Sequence, residues 1–182
     1  MPPIPSLATT RWVIDANRST LRVSVKVGFL TVHGTFADVT GHLELTGDPL
    51  ASRVKVRVGT GSLTSGSACM DSLLHGAGIV DSARNPSIHF ISTGLQQRSG
   101  GRWRLVGRLA TDSAALDVTL EMGEPVEQNG TFLFRATGAL PSGEAIRLLA
   151  QNGMERVLGT MMKLDLTVSA VPLRSSLQDE AQ

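Results

Sequence analysis

Asp71 and His75 stand four residues apart, the spacing that brings a carboxylate and an imidazole together on one face of a helix, where they could exchange a proton with a substrate. The same spacing also describes an ordinary surface pair. Around it, metal chemistry finds little support: His33, His42, His75 and His89 form no His-x-His or His-x-x-x-His pair, and Cys69 is the single cysteine. No metal and no cofactor is expected. Cys69 has no resolving thiol, which favours a small buried hydrophobe over a redox site. Gly59-Thr-Gly-Ser-Leu63 misses the Gly-x-Ser-x-Gly spacing of a hydrolase elbow, and Gly76-Ala-Gly78 lacks the third glycine of a dinucleotide loop. Arg102, Arg104 and Arg108 lie near Trp103 in superficial likeness to a nucleic-acid surface, but nearby acids favour a solvated face.

The charge balance narrows the choice further. Seventeen Lys and Arg against 16 Asp and Glu leave a net charge of +1, so there is no basic field for a phosphate backbone, and nucleic acid is not an expected partner. Hydrophobic residues at 41% and charged residues at 18% suffice for a buried core, and 182 residues suit one domain. No run approaches the ~20 apolar residues that span a bilayer, so stable membrane insertion is not expected. Pro2, Pro3 and Pro5 interrupt the N-terminus where a signal peptide would need an apolar helix, which gives a cytoplasmic expectation.

Alternation of period two dominates the chain. Leu21, Val23, Val25 and Val27 alternate with polar residues, as do Val54, Val56 and Val58, then Leu105, Gly107 and Leu109, then Leu116, Val118, Leu120 and Met122. Phe132, Phe134 and Ala136 form another strand, and Met162 to Ala170 the last. With Val32 to Leu45 and Ile88 to Leu95 this makes eight strands, parted by turns at Thr46-Gly-Asp-Pro49, Arg98-Ser-Gly-Gly101 and Glu127-Gln-Asn-Gly130, which is the pattern of a sandwich or barrel. Alternation fails over Ser67 to Ser82 and Ser142 to Gly153, where Met70, Leu73 and Leu74, behind the candidate N-caps Ser65 and Ser67, and then Ile146, Leu148 and Leu149 fit either a short helix or a loop. His33, His42 and His89 alternate with apolar neighbours and are expected on the exterior.

Short segments in a fixed order carry a resemblance. Trp12-Val-Ile-Asp15, Gly34-Thr-Phe36, Gly41-His-Leu43, Ser62-Leu-Thr-Ser-Gly66, Asp71 with Leu74, Asn85-Pro-Ser-Ile-His-Phe-Ile-Ser92 and Gly107-Arg-Leu109 together resemble the YceI-like family of lipocalin-like, polyisoprenoid-binding proteins. The resemblance implies an all-β fold: a single extended eight-stranded antiparallel barrel over residues 12–173, with one or two short helical segments, an N-terminal extension over 1–11 and a polar tail over 174–182. It also carries the expectation of an apolar or lipid-like ligand and, from some members, of a homodimer. Arg18 stands where the family often has His, and Met70 and Leu73 replace an Arg and a His beside Asp71.

The expected function is binding, transport or sequestration of an apolar, isoprenoid-like ligand inside the barrel. Its expected lining is Leu21, Val23, Val25, Phe29, Phe36, Leu43, Leu74, Ile79, Phe90, Leu105, Leu109, Leu116, Val118, Leu120, Phe132, Phe134 and Leu166, with Gly107 and Gly138 leaving space. No catalytic residue is assigned. Asp15 and Asp71 are expected to cap turns or helices. The alternatives are an enzyme acting on an apolar substrate through Asp71 and His75, or a filled barrel that works through its outer face.

Overall fold

A computed structural model describes residues 10–46, 48, 51–76, 80–149 and 158–173. The strands are β1 (Thr10–Ile14), β2 (Thr20–Val27), β3 (Leu30–Phe36), β4 (Val39–Leu45), β5 (Arg53–Gly59), β6 (Leu63–Thr64), β7 (Ser87–Gln97), β8 (Trp103–Ala110), β9 (Ala115–Met122), β10 (Val126–Gln128), β11 (Thr131–Pro141) and β12 (Leu158–Pro172). The helices are α1 (Ala68–Gly76) and α2 (Ser142–Leu149).

All pairings are antiparallel, and β12 closes the ring. β2 and then β1 lie along one edge of β12, with Leu21 opposite Leu166 and Ile14 opposite Ala170. β3 pairs with β2 and β4 with β1, while β6 and β5 pair with β3 and β4 in turn. Each of these three couples acts as one long, kinked strand. Counted so, they continue through β7, β8, β9 and β11 to the other edge of β12, giving a closed eight-stranded barrel with two helices. β10 is a three-residue ribbon along β11.

The kinks have local causes. Between β1 and β2, Asp15 caps a turn at Ala16–Arg18, its Oδ1 accepting from the Asn17 amide at 3.0 Å. The inward set changes phase across it, from Trp12 and Ile14 to Leu21 and Val23. The same slip separates Phe36 from Val39 between β3 and β4, where the Asp38 carboxylate meets Arg57 at 3.2 Å.

The two ends of the barrel differ. At one, α2 lies across the opening and buries Ala145, Ile146, Leu148 and Leu149 while exposing Glu144 and Arg147. Leu148 and Leu149 pack with Phe36, Val39, Val58, Leu63, Val80 and Ile88, and the Leu149 carbonyl accepts from the Asp81 amide at 2.8 Å. The Asn85 side chain, 1% exposed, accepts from the Ser113 hydroxyl, and its carbonyl accepts from Thr60, so the Asn85-Pro-Ser segment ties three loops together here. The other end carries half-buried Trp12, Leu45, Trp103, Phe132 and Phe134. Trp12 meets Phe132 edge-on, with ring centroids 4.6 Å apart.

Both stretches that the sequence left open between short helix and loop contain a helix, with Ser67 capping α1 through the Met70 amide at 3.4 Å. Cys69 departs from expectation. It is exposed, because α1 buries none of its residues fully and presents Cys69 to solvent.

Candidate functional site: the barrel interior

Pleating puts alternate side chains of each strand inside, and the registers stack them into layers. One layer runs Leu21, Leu166, Ala136, Met122; the next runs Val23, Leu164, Gly138, Leu120, Leu105. Across the barrel, Val56, Phe90, Leu109 and Leu116 continue the inward face. Outward positions are charged: Arg53, Lys55 and Arg57 on β5 alternate with the inward valines. This is opposite to the apolar exterior of a membrane-spanning barrel. No helix among the described residues is long and apolar enough to cross a membrane.

Of the expected lining, Phe36, Leu43, Phe90, Leu105, Val118 and Leu120 are buried in the interior. Leu21, Val23, Val25, Leu109, Leu116, Phe132, Phe134 and Leu166 also face inward but are only half-buried, and Leu74 on α1 packs half-buried against the α2 end. Leu21, Val56, Leu109 and Leu166 are half-buried although each lies between two paired strands.

Phe29 is not part of this set. Val27 pairs directly with Leu30, leaving Gly28 and Phe29 as a two-residue turn, and Phe29 is fully exposed at its tip. The alternation that places Val23 and Val25 inside ends at Val27. Ile79 lies outside the described residues. Gly107 and Gly138 also fail to leave space: Phe90 occupies the volume a side chain at Gly107 would take, and Leu120 does so at Gly138.

Several interior residues were not anticipated as lining. Trp12, Leu95, Val54, Val56 and Leu164 share the inward face, and α2 supplies a lid of four buried apolar side chains. Trp12 was legible only as part of a short motif, although its position two residues before Ile14 continues the alternation.

The candidate catalytic pair is committed to structure. Asp71 accepts from the Thr64 hydroxyl at 2.6 Å and from the amide and hydroxyl of Ser65 at 2.6 and 2.7 Å. The Thr64 bond first, then those from Ser65, hold its carboxyl below the usual carboxylate range, and His75 adds a smaller pull in the same direction. The Nε2 of His75 donates to the Leu63 carbonyl at 3.0 Å. Both side chains thus fasten α1 to β6. His33, His42 and His89 are exposed, as their alternation indicates. Arg104 pairs with Glu121 at 2.6 Å and Arg108 with Asp117 at 3.8 Å, which makes this arginine row a solvated, charge-paired face.

Two clefts open on the exterior. One of about 310 Å³ is lined by Gly123, Glu124, Val126, Gln128, Leu133 and Arg135. The other, about 290 Å³, is lined by Thr20, Arg22, Arg135, Asp165 and Thr167.

Comparison with known proteins agrees with this architecture. Among solved structures, BcnA of Burkholderia cenocepacia superposes with a TM-score of 0.71 at 14% identity, covering 87% of this chain and 99% of its own. A polyisoprenoid binding domain from Saccharophagus degradans, implicated in plant cell wall breakdown, superposes with a TM-score of 0.63 at 12% identity, covering 92% of this chain and 100% of its own. In sequence, a UPF0312 protein of Azotobacter vinelandii is 26% identical over 171 residues, 90% of this chain and 86% of that protein. The YceI-like domain family matches residues 12–148, from the tryptophan at the rim of the barrel into α2. The chain belongs to the YceI-like domain family.

Proposed function

We propose that this protein binds an apolar, chain-like lipid, of the isoprenoid class, inside its barrel and so carries or sequesters it. The observation that carries this reading is the incomplete burial of inward-facing Leu21, Val56, Leu109 and Leu166 in a closed barrel. Such surface is unfavourable in contact with water, and each methylene-sized group of a ligand that covers it contributes ~0.8 kcal/mol, offset by the ordering of ligand and side chains. A flexible hydrocarbon suits an inward face built of Val and Leu, on which Glu127, opposite Phe132, brings a charge at the rim. The polyisoprenoid binding domain from Saccharophagus degradans, alike in fold, supports the choice of class. The proposed contacts are the inward, half-buried residues, with Trp12, Phe132 and Phe134 at the rim and α2 closing the far end.

A second reading is a filled barrel that acts through its outer face. It is favoured by the two clefts, both of which open outward, and by Phe90 filling the space beside Gly107. Mass spectrometry of organic extracts from gently purified protein separates the two, with an unrelated barrel expressed in parallel as control. A near-stoichiometric isoprenoid or other lipid is expected. Repeated recovery of none, even after incubation with a lipid mixture, would favour the filled barrel.

A further inference from the structure

The β2–β3 hairpin carries two large apolar side chains that the fold does not use. Gly28, with φ +61°, supplies the left-handed first position of the turn, and no neighbour among the described residues lies within 4 Å of the Cβ it lacks. The second position requires only an ordinary negative φ, which a polar residue provides equally well. It is occupied by Phe29 at 108% exposure, followed by Leu30 at 72%. One edge of the hairpin is free, because β6 pairs with β3 only at Thr35 and Phe36 and leaves the tip half of β3 paired to β2 alone, while β12 follows the β2 edge to Leu158 opposite Val27.

Two exposed lysines lie on the outward face below this tip. Lys26 is exposed two residues before the turn and lies beside Gly159; Lys163 is exposed opposite Ser24, whose other neighbour is the exposed His33. Met161, 47% exposed, adds apolar surface on the same face of β12. The described acids nearest in sequence and register are Asp165, farther along β12, and Glu144 on α2. Adjacent exposed Phe and Leu at the tip, with exposed Lys26 and Lys163 set back from it, form the amphipathic pattern that sits in a membrane interface, apolar groups among the acyl chains and cations at the head groups.

We propose that the β2–β3 hairpin is a bilayer-contact element. Phe29 and Leu30 enter the interface of an anionic membrane while Lys26 and Lys163 face its head groups, bringing the α2 end of the barrel to the surface from which apolar cargo is exchanged. The role in exchange rests on the lipid-binding reading above; the membrane contact does not.

The test is flotation of the full-length protein with phosphatidylcholine vesicles, plain or containing about a third phosphatidylglycerol. Wild type is expected to float with the anionic vesicles, Phe29→Ser/Leu30→Thr to lose at least tenfold in partitioning, and Lys26→Glu/Lys163→Glu to lose the preference for anionic lipid. Unchanged melting temperatures show that the variants are folded, as substitution of exposed residues should leave them. Binding of a fluorescent isoprenoid analogue without vesicles is measured in parallel. Analogue binding with no flotation of wild type overturns the membrane contact alone; flotation without analogue binding overturns the cargo reading alone. Equal flotation of wild type and Phe29→Ser/Leu30→Thr would overturn the assignment to the hairpin. So would a wild-type dimer that the same double substitution converts to monomer without changing flotation, since the tip would then be a contact between two copies.

Discussion

The ring of Phe90 fills the space in which a side chain on Gly107 would stand, directly across the β7–β8 ladder from Ser92. The Ile91 carbonyl also lies 2.7 Å from where that Cβ would be. Gly107→Ala is therefore expected to destabilise the barrel by about 1–3 kcal/mol, because backbone as well as ring must shift. Gly94→Ala, with nothing within 4 Å, is the matched control and should change stability far less. Urea unfolding of both variants checks the difference; equal losses would refute it.

At the rim, Trp12 and Phe132 bring two sequence-distant strands together through β12, since Trp12 faces Pro172 and Phe132 faces Ala170. Their edge-on contact should appear as a coupling of about 0.5–1.5 kcal/mol in a double-mutant cycle of Trp12→Leu and Phe132→Leu. Additive losses would mean that the rings pack independently.

Alternation located the eight long strands because one face of each is buried and the other wet. It could not reveal that three of them are kinked couples. The clue was a change of phase, from even-numbered Val32, Gly34 and Phe36 to odd-numbered Val39 and Leu43, which reads as continuous hydropathy unless the parity is followed. Nor does any local feature indicate that β12 takes β11 on one edge and both β1 and β2 on the other, because that closure is a relation among distant segments. The lining followed from parity wherever the strand was regular. Phe29 was misplaced because a hairpin turn ended the parity one residue earlier, and Gly107 and Gly138 were misread because the size of a residue says nothing of which neighbour leans over it.

Asp71 gives a pH signature with a definite sign. Its folded-state carboxyl titrates below the ordinary range, so the stabilisation it lends to α1 is fully present above the unfolded carboxylate value of about 3.9 and is lost as pH falls through the lower folded value. Amide chemical shifts and exchange rates across α1 should therefore show loosening only at acid pH in the wild type. Asp71→Asn should loosen α1 already at neutral pH and remove the acid transition. An Asp71→Asn protein with native α1 protection at neutral pH would contradict this role.

Ser142 begins α2 at 2% exposure, and its hydroxyl has no hydrogen-bond partner among the described residues. Leaving such a group desolvated costs about 1–3 kcal/mol, so Ser142→Ala should keep or raise the melting temperature. A clear fall in a thermal melt would show that the hydroxyl is satisfied in solution.

The most direct test of the interior as the binding site is nuclear magnetic resonance with methyl-labelled Leu and Val and an unlabelled prenyl alcohol. Intermolecular Overhauser effects are expected at the inward methyls of Leu21, Val56, Leu109 and Leu166, with none at outward-facing Val13 or Val171. Contacts confined to Val126 and Leu133 in the exterior cleft, or none at saturating ligand, would contradict an internal site.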